Sequence, residues 1–282
     1  MNLREVIKKA RAEKRAVGHF NISDIAALRA IVRAAGGLKM PVIIGTSEGE
    51  AEFIDIEVAV AMVKDMREET GQDIFLNADH FHSLEKIEEA ARAGYDSVIF
   101  DAAKLSIQEN IQKTREVVEK IKGIRPDVLI EGEVGYIGES SKVLDKLPDG
   151  VTMCSVEDIQ KYVSATGVDL VAPAVGNVHG MLKESSNPRL NIELIRNIAG
   201  SVDTPLVLHG GSGISDDDFR AAIAAGIAVV HINTEIRVAW REGMVRGLGS
   251  QGEVAPYKIF PGAEEAVYEV VSRRLKLFGG LL

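Results

Sequence analysis

LEKIEEAARAGYDSVIFDAAKLSIQENIQKTREVVEKIKGIRPDVLIEGEVG, residues 84–135, holds a helix–strand unit twice over. Leu84, Ile87, Ala90 and Ala91 recur at spacings of three and four, as on one face of a helix, and Gly94 closes the pattern. The run DSVIFDAA (96–103) follows, then the helical pattern IQENIQKTREVVEKI and the run VLIEGEVG (128–135). Neither run alternates cleanly between apolar and polar residues, so both read as strands covered on two faces. A strand, a helix and a second strand with short connections make a parallel pair.

The same rhythm extends in both directions. AVGHFNI near the N-terminus, PVIIGTS (41–47), DIFLNADH (73–80), DLVAPAVGNVH (169–179), PLVLHGGSG (205–213) and AVVHINT (228–234) are the other strand candidates, with amphipathic patterns between them. Gly167 and Gly226 close helices as Gly94 does. Eight such units predict an α/β fold, a (β/α)8 TIM barrel, in preference to a doubly wound sheet. No linker divides the chain, so residues 1–282 are expected to form one barrel domain, with 253–282 as a C-terminal helical extension. GEVAPYKIFP reads as a turn ahead of that last helix. Tyr136 to Thr152 reads as a mobile loop or an extra short helix.

Composition narrows the function classes. The 282 residues are 46% hydrophobic and carry a formal net charge of −9, enough apolar material for a large core and the wrong sign for a general nucleic-acid or membrane-surface binder. The lone Cys154 excludes an intrachain disulfide framework. No run reaches 18 apolar residues, and Met1 leads straight into a charged helical pattern, so a soluble cytoplasmic protein is expected.

In a barrel, side chains beyond the C-terminal ends of different strands converge on one site. Here these are Asp79 and His80, Glu131 and Glu133, His179, His209 and Asn233. Three imidazoles and one carboxylate with an exchangeable position suit Zn²⁺ as a Lewis acid. Each His alone is as well read as a satisfied core residue; three facing one mouth favour the metal. Glu131 and Glu133 share a strand face and would repel unless a cation or proton lay between them. Glu133 is expected as the ligand and Glu131 as its support. Asp79 and His80 are neighbours whose side chains diverge on a regular strand, so a loop must bring Asp79 to the substrate, or else it orients an imidazole. VGNVHG (175–180) and HGGSG (209–213) are ordinary turns or, beside His179 and His209, backbone nests for a phosphate. Neither GxxxxGK[ST] nor a strand-linked GxGxxG is present, which leaves ATP and dinucleotides without a warrant.

With these residues in place, the chain resembles the class II, metal-dependent fructose-bisphosphate aldolases, a family that includes tagatose-bisphosphate aldolases. The likeness runs from GHFNISD to AVYEVVSRRLKLFG and is most specific at NADH (77–80), IEGEVGYIG (130–138), VGNVHG, LVLHGGSG (206–213) and INT (232–234). The resemblance implies reversible cleavage of a ketose 1,6-bisphosphate, fructose 1,6-bisphosphate first among them, to dihydroxyacetone phosphate and glyceraldehyde 3-phosphate. It implies Zn²⁺ or another divalent ion (Co²⁺, Fe²⁺, Mn²⁺) on His80, Glu133, His179 and His209, with a monovalent cation near the phosphate loops. Asp79 would relay the proton at the aldehyde-derived oxygen, and Glu139 would serve the carbanion. Asn21, Ser47, Gly180, Gly210, Gly211, Ser212, Asn233 and Thr234 would bind substrate, and Arg274 would reach the distal phosphate from a neighbouring subunit of a homodimer or homotetramer.

Departures from the family pattern fall on the site. GYIGESS leaves one acid, Glu139, where members carry a pair, so either Glu139 takes that role from a shifted loop or the catalytic base has changed. His231 stands in the place read as the usual lysine, HINTEIR reads as two residues short, and Phe81 and His82 follow His80 in place of glycine. Lys104, after the fourth strand, is a rim lysine or, in the imine strategy, a Schiff-base residue. Two rivals follow: another metal enzyme of this architecture, such as a hydrolase or an aldolase for a different phosphorylated ketose, and a non-catalytic sugar-phosphate binder.

Overall fold

Eight parallel strands close on themselves, each followed by helix on the outside. The computed structural model describes residues 1–183, 187–249 and 252–282. The barrel strands are β1 (Val17–Asn21), β2 (Val42–Ser47), β3 (Ile74–Phe81), β4 (Ser97–Phe100), β5 (Leu129–Val134), β7 (Leu170–Pro173), β9 (Leu206–Leu208) and β10 (Ile227–Ile232), with β1 and β10 paired to close the ring. Around them lie α2 (Ile25–Leu38), α4 (Ile56–Thr70), α5 (Leu84–Ala93), α6 (Ile107–Ile124), α7 (Val156–Thr166), α8 (Ile192–Ser201), α9 (Asp216–Ala225) and α10 (Thr234–Leu248). Gly94, Gly167 and Gly226 cap α5, α7 and α9, as their positions in the sequence imply.

The N-terminal helix α1 (Leu3–Ala12) opens on a capping box between Asn2 and Glu5. Its Leu3, Val6 and Ile7 share one face and pack with Val17, Ile43, Phe75, Leu129, Leu170, Val207 and Val229, which point into the barrel from its lower half. Each such burial contributes about 1.5–3 kcal/mol, so the bottom of the barrel is sealed by apolar contact. A larger cluster fills the layer between sheet and outer helices, with Phe20, Tyr95, Tyr162, Phe219 and Phe278 fully buried.

Two sequence expectations need correction. Tyr136–Thr152 holds no helix; it carries β6 (Val143–Leu144), which pairs in parallel with β8 (Met181–Leu182) and straps the loop after β5 to the loop after β7. The GEVAPYKIFP segment is not a turn to its end, because α11 (Pro256–Phe278) already starts at Pro256 and runs through Pro261. Pro256 sits where a helix tolerates proline. Pro261 leaves the carbonyl of Tyr257 without its helical donor, but Tyr257 is exposed and water can satisfy it. Ile259, Ala263, Ala266, Val267 and Val271 hold the helix by burial. A short helix unforeseen in the sequence, α3 (Glu48–Ile54), follows β2.

Candidate metal centre and active site

The upper half of the barrel is lined by polar side chains from the same strand faces that are apolar below. Glu131 and Glu133 both point inward from β5, and Gly132 between them faces out against Tyr162, where a Cβ would collide with the phenol. Tyr162 Oη donates to Thr114 Oγ1 at 2.8 Å, and Asn110 Nδ2 donates to the Glu133 carbonyl at 2.9 Å, so α6 and α7 fix the strand that presents both carboxylates. On β3 the expected divergence of Asp79 and His80 does not occur. His80 takes a left-handed φ of 53° and the ladder to β4 is irregular between Ala78 and Phe81, so both side chains turn into the mouth, 3.7 Å apart. That conformation costs about 1–2 kcal/mol in a non-glycine residue, which the surrounding structure must offset.

The imidazoles of His80, His179 and His209 meet at this mouth. His80 stands at 83° to His179 and 90° to His209, so their in-plane nitrogens converge. His80 Nε2 and His209 Nδ1 are 2.9 Å apart. Glu133 Oε1 lies 3.0 Å from His80 Nδ1 and 3.4 Å from His209 Nδ1, yet it is buried and makes no hydrogen bond. The remaining ring positions are held by neighbours: His209 Nε2 on Glu131 Oε1 at 2.6 Å, His179 Nδ1 on the Gly138 carbonyl at 2.7 Å, and His80 Nδ1 on Asp101 Oδ2 at 3.2 Å. Such contacts fix tautomers and leave the opposite nitrogens for an ion. An orphaned buried carboxylate oxygen beside convergent, oriented imidazoles is a donor set that fits a divalent cation. A second group, His19, Asp79 and His231, is close in space but differently arranged. The rings of His19 and His231 stack at 3.6 Å and 4°, so their in-plane lone pairs run parallel and do not converge.

The field follows from this crowding. Burial opposes charge on His80, but Glu133 and Asp79 outweigh it and hold its proton affinity well above the usual range. The carboxylates that favour a proton there equally favour a metal ion. Burial, then the nearby His80 and His209, lowers His179 to about 3, and burial brings His19 down to about 4. Burial drives Glu131 well above the ordinary carboxylate range, with Asp79 adding to it. Asp79 stays well below its ordinary value because His80, His231 and His19 outweigh its burial.

Comparison with known proteins now bears on this barrel and its ligand set. The family profile described as class II fructose-bisphosphate aldolase matches residues 1–280. The fructose-bisphosphate aldolase of Staphylococcus aureus is 34% identical over 283 aligned positions, spanning 99% of this chain and 97% of the relative. This chain belongs to the class II fructose-bisphosphate aldolase family. The probable fructose-bisphosphate aldolase of Bacillus subtilis is also 34% identical, with the same coverage. Among solved structures, the YdjI aldolase from Escherichia coli K12 superposes with a TM-score of 0.84 at 28% identity, covering 99% of this chain and 97% of that one. A putative fructose-1,6-bisphosphate aldolase from Coccidioides immitis, 24% identical with a TM-score of 0.86, shares the fold.

In this class II aldolase the glycine loops lie beside the imidazoles. Gly210, with φ 60°, packs against the Val178 carbonyl so tightly that no Cβ fits, and Gly180, Gly210, Gly211, Ser212, Asn233 and Thr234 line one small recess with His179 and His209. Asn233 caps α10 without a side-chain cap bond, and its buried Oδ1 has no partner. Three of the expected substrate residues are engaged within the chain. Gly211 N–H already donates to the His231 carbonyl at 3.1 Å, so this residue gives room and not a donor. Asn21 spends its amide on Glu50 Oε2 (2.9 Å) and Asp79 Oδ2 (2.8 Å), so it orients the acid instead of holding substrate by N–H. Arg274 is buried, donates to Glu235 (2.8 and 2.6 Å) and Asp216 (2.9 Å), and lies over Phe219, so within this chain its guanidinium is engaged. Glu235 Oε1 in turn accepts from Gly213 N at 3.1 Å, so Arg274 braces the glycine loop from behind.

Outside the recess a cavity of about 940 Å³ opens, lined by Ser47, Asp79, His80, Lys104, Glu139, Lys142, His179, Asn233 and Arg237 among others. Glu139 lies on its wall, half exposed and paired with Lys104. Lys104 is therefore an exposed rim lysine tied to a carboxylate. Sequence reasoning missed Asp101, although it stands one residue beyond β4 and obeys the same strand-end rule as the ligands. It also missed Glu50, whose signal is the capping-box spacing to Ser47: Ser47 N donates to Glu50 Oε2 at 2.8 Å. The thiol of Cys154 is buried and pushed up to about 12 by burial.

Proposed function

We propose that this class II aldolase reversibly cleaves a ketose 1,6-bisphosphate, fructose 1,6-bisphosphate or its tagatose epimer, to dihydroxyacetone phosphate and glyceraldehyde 3-phosphate. The observation that carries this reading is the orphaned Glu133 Oε1 set among the nitrogens of His80 and His209, at the mouth where His179 also points. His80, Glu133, His179 and His209 would hold the ion, Zn²⁺ or Co²⁺, Fe²⁺ or Mn²⁺ in its stead. When bound, the cation supplies Lewis-acid charge to the ketose carbonyl and its neighbouring hydroxyl.

The remaining steps belong to the chain. Asp79 is kept ionised by its histidine neighbours and aimed by Asn21 Nδ2, so it accepts the proton of the C4 hydroxyl as the C3–C4 bond breaks. Glu139, on the solvent-open loop over the cavity, takes up a proton from water and delivers it to the carbanion carbon, or removes it in the condensation direction. The C1 phosphate sits at Gly180, Gly210 and Ser212 and at the N-terminus of α10 by Thr234, where Asn233 makes no side-chain cap bond, Ser212 Oγ accepts from Glu235 N at 3.1 Å and the helix end favours an anion, with a monovalent cation as its counterion. Glu131 pins His209. Ser47, on the wall of the large cavity, is a further phosphate-site residue. The chain works as one barrel domain over 1–282 with 253–282 as its extension, in a cytoplasmic homodimer or homotetramer, and takes neither nucleic acid nor membrane as partner. Among the described residues no helix is long and apolar enough to cross a membrane. Coupled assays with fructose and tagatose 1,6-bisphosphates should detect dihydroxyacetone phosphate from at least one of them. Failure with both would sink the reading.

A further inference from the structure

The metal centre leaves one buried cluster of the barrel interior without a task. The register pairs His19 of β1 with His231 of β10. It also pairs Val230 with Leu208 of β9, so His231 and His209 follow at the next position. Three adjacent strands therefore carry imidazoles at one level. The middle ring is His231, stacked on His19 at 3.6 Å and 4° and on His209 at 4.1 Å and 23°. His19 is the fixed end of the stack. Its Nε2 lies 3.3 Å from Asn77 Oδ1, Asn77 Nδ2 donates to Ser97 Oγ at 2.6 Å, and a Cβ on Gly45 would collide with its ring. At the other end, His209 Nε2 is held by Glu131 Oε1. A contact at one nitrogen leaves an imidazole free to rock about it, and a flat neighbour removes that freedom.

The same side chain faces Asp79. His231 Nδ1 lies 3.3 Å from Asp79 Oδ1, and neither atom makes a hydrogen bond elsewhere. A ring nitrogen set against a carboxylate oxygen carries the hydrogen, since two acceptors would repel. Both groups are buried, where an unpaired polar atom is costly. The other carboxylate oxygen, Asp79 Oδ2, already accepts from Asn21 Nδ2 at 2.8 Å. That one bond lets the carboxylate pivot, and a second contact on Oδ1 fixes its plane. His80 Nε2 stands 3.7 Å from the same Oδ1, but it is the nitrogen left for the ion once Asp101 holds Nδ1. His231 is then the neighbour that stays with Asp79. We propose that His231 is a positioning residue for the aldol reaction: its ring sets the plane of His209 while its Nδ1–H holds Asp79. One side chain, backed by His19, thereby fixes the proton acceptor relative to the ion.

This rests on the aldolase reading, and the test separates the two. Full-length enzyme at saturating Zn²⁺ is assayed with fructose and tagatose 1,6-bisphosphates, following dihydroxyacetone phosphate, for kcat and KM. Metal-free protein is titrated with Zn²⁺ against a competing chelator for Kd. His231→Phe keeps a flat ring and removes the N–H. Its kcat should fall about a hundredfold, with KM within about twofold and the Zn²⁺ Kd within about threefold. His231→Asn keeps an N–H near the place of Nδ1 and removes the ring. Its kcat should fall by less than about tenfold, while Zn²⁺ binds about tenfold more weakly. His231→Gln sets its amide near the place of Nε2 and should lose kcat as His231→Phe does, which keeps the comparison if His231→Phe fails to fold. A merely structural role would not produce this crossed pattern. Wild-type kcat in folded His231→Phe, equal kcat in His231→Asn and His231→Gln, or an unchanged Zn²⁺ Kd in His231→Asn overturns this proposal alone. A wild-type enzyme that cleaves neither bisphosphate overturns the aldolase reading and the proposal with it.

Discussion

The lower and upper halves of the barrel interior are built on the same faces of the same strands and share almost no chemistry. A single residue separates Val17 from His19, Phe75 from Asn77, Leu129 from Glu131, Val207 from His209 and Val229 from His231. Below, every one of these side chains is apolar and α1 seals the end. Above, they are polar, and among the described residues His19 Nδ1, Asn21 Oδ1, Glu133 Oε1 and Asn233 Oδ1 are buried without a hydrogen bond, while Asp79 Oδ1 and His231 Nδ1 face each other at 3.3 Å. Each unsatisfied group costs about 1–3 kcal/mol. The lower half supports the fold, while the upper half lowers stability and holds chemistry in readiness.

That contrast can be broken from either end. His179→Ala removes an imidazole that is only partly buried, so the fold should persist while kcat/KM falls by about 10³-fold or more, read by steady-state kinetics with metal analysis. Phe75→Ala empties the lower half and should cost about 3–5 kcal/mol in urea unfolding, with kcat/KM little changed in the folded enzyme. The contrast can also be sharpened by pH. The buried His19 holds out to about 4, against about 6.5 in an unfolded chain. Between those values the unfolded state binds the extra proton, so stability is full above about pH 6.5 and declines as pH falls toward 4. His80, with its raised value, works in the opposite sense as pH rises. In the metal-free protein, wild type should therefore lose about 2–4 kcal/mol more than His19→Asn on going from pH 7 to pH 4, measured by unfolding at each pH.

The barrel was legible because its signal is repeated eight times and each strand is short, apolar and followed by a helix of the right period. The meeting of His80, His179 and His209 was legible for a related reason: strand ends of a barrel point to one place whatever their separation in the chain. What escaped was set by contacts between distant segments. The left-handed turn at His80 depends on the irregular ladder between β3 and β4, and no local residue announces it. Arg274 looks like a free cation on an amphipathic helix until Glu235 and Asp216, 39 and 58 residues away, are folded against it. Asn21 looks like a substrate ligand until Glu50 and Asp79 take its amide. The helical start at Pro256 was hidden by two prolines that the helix tolerates at its exposed edge.

The orphaned donors above the apolar plug are the proposed seat of the metal on which aldol cleavage depends. Chelator dialysis followed by stepwise return of Zn²⁺, with dihydroxyacetone phosphate release measured at each step, addresses it directly. Activity on the ketose bisphosphate should be lost on dialysis while the fold remains, and return in proportion to metal up to about one ion per chain. Undiminished cleavage by a protein shown to be free of metal would contradict it.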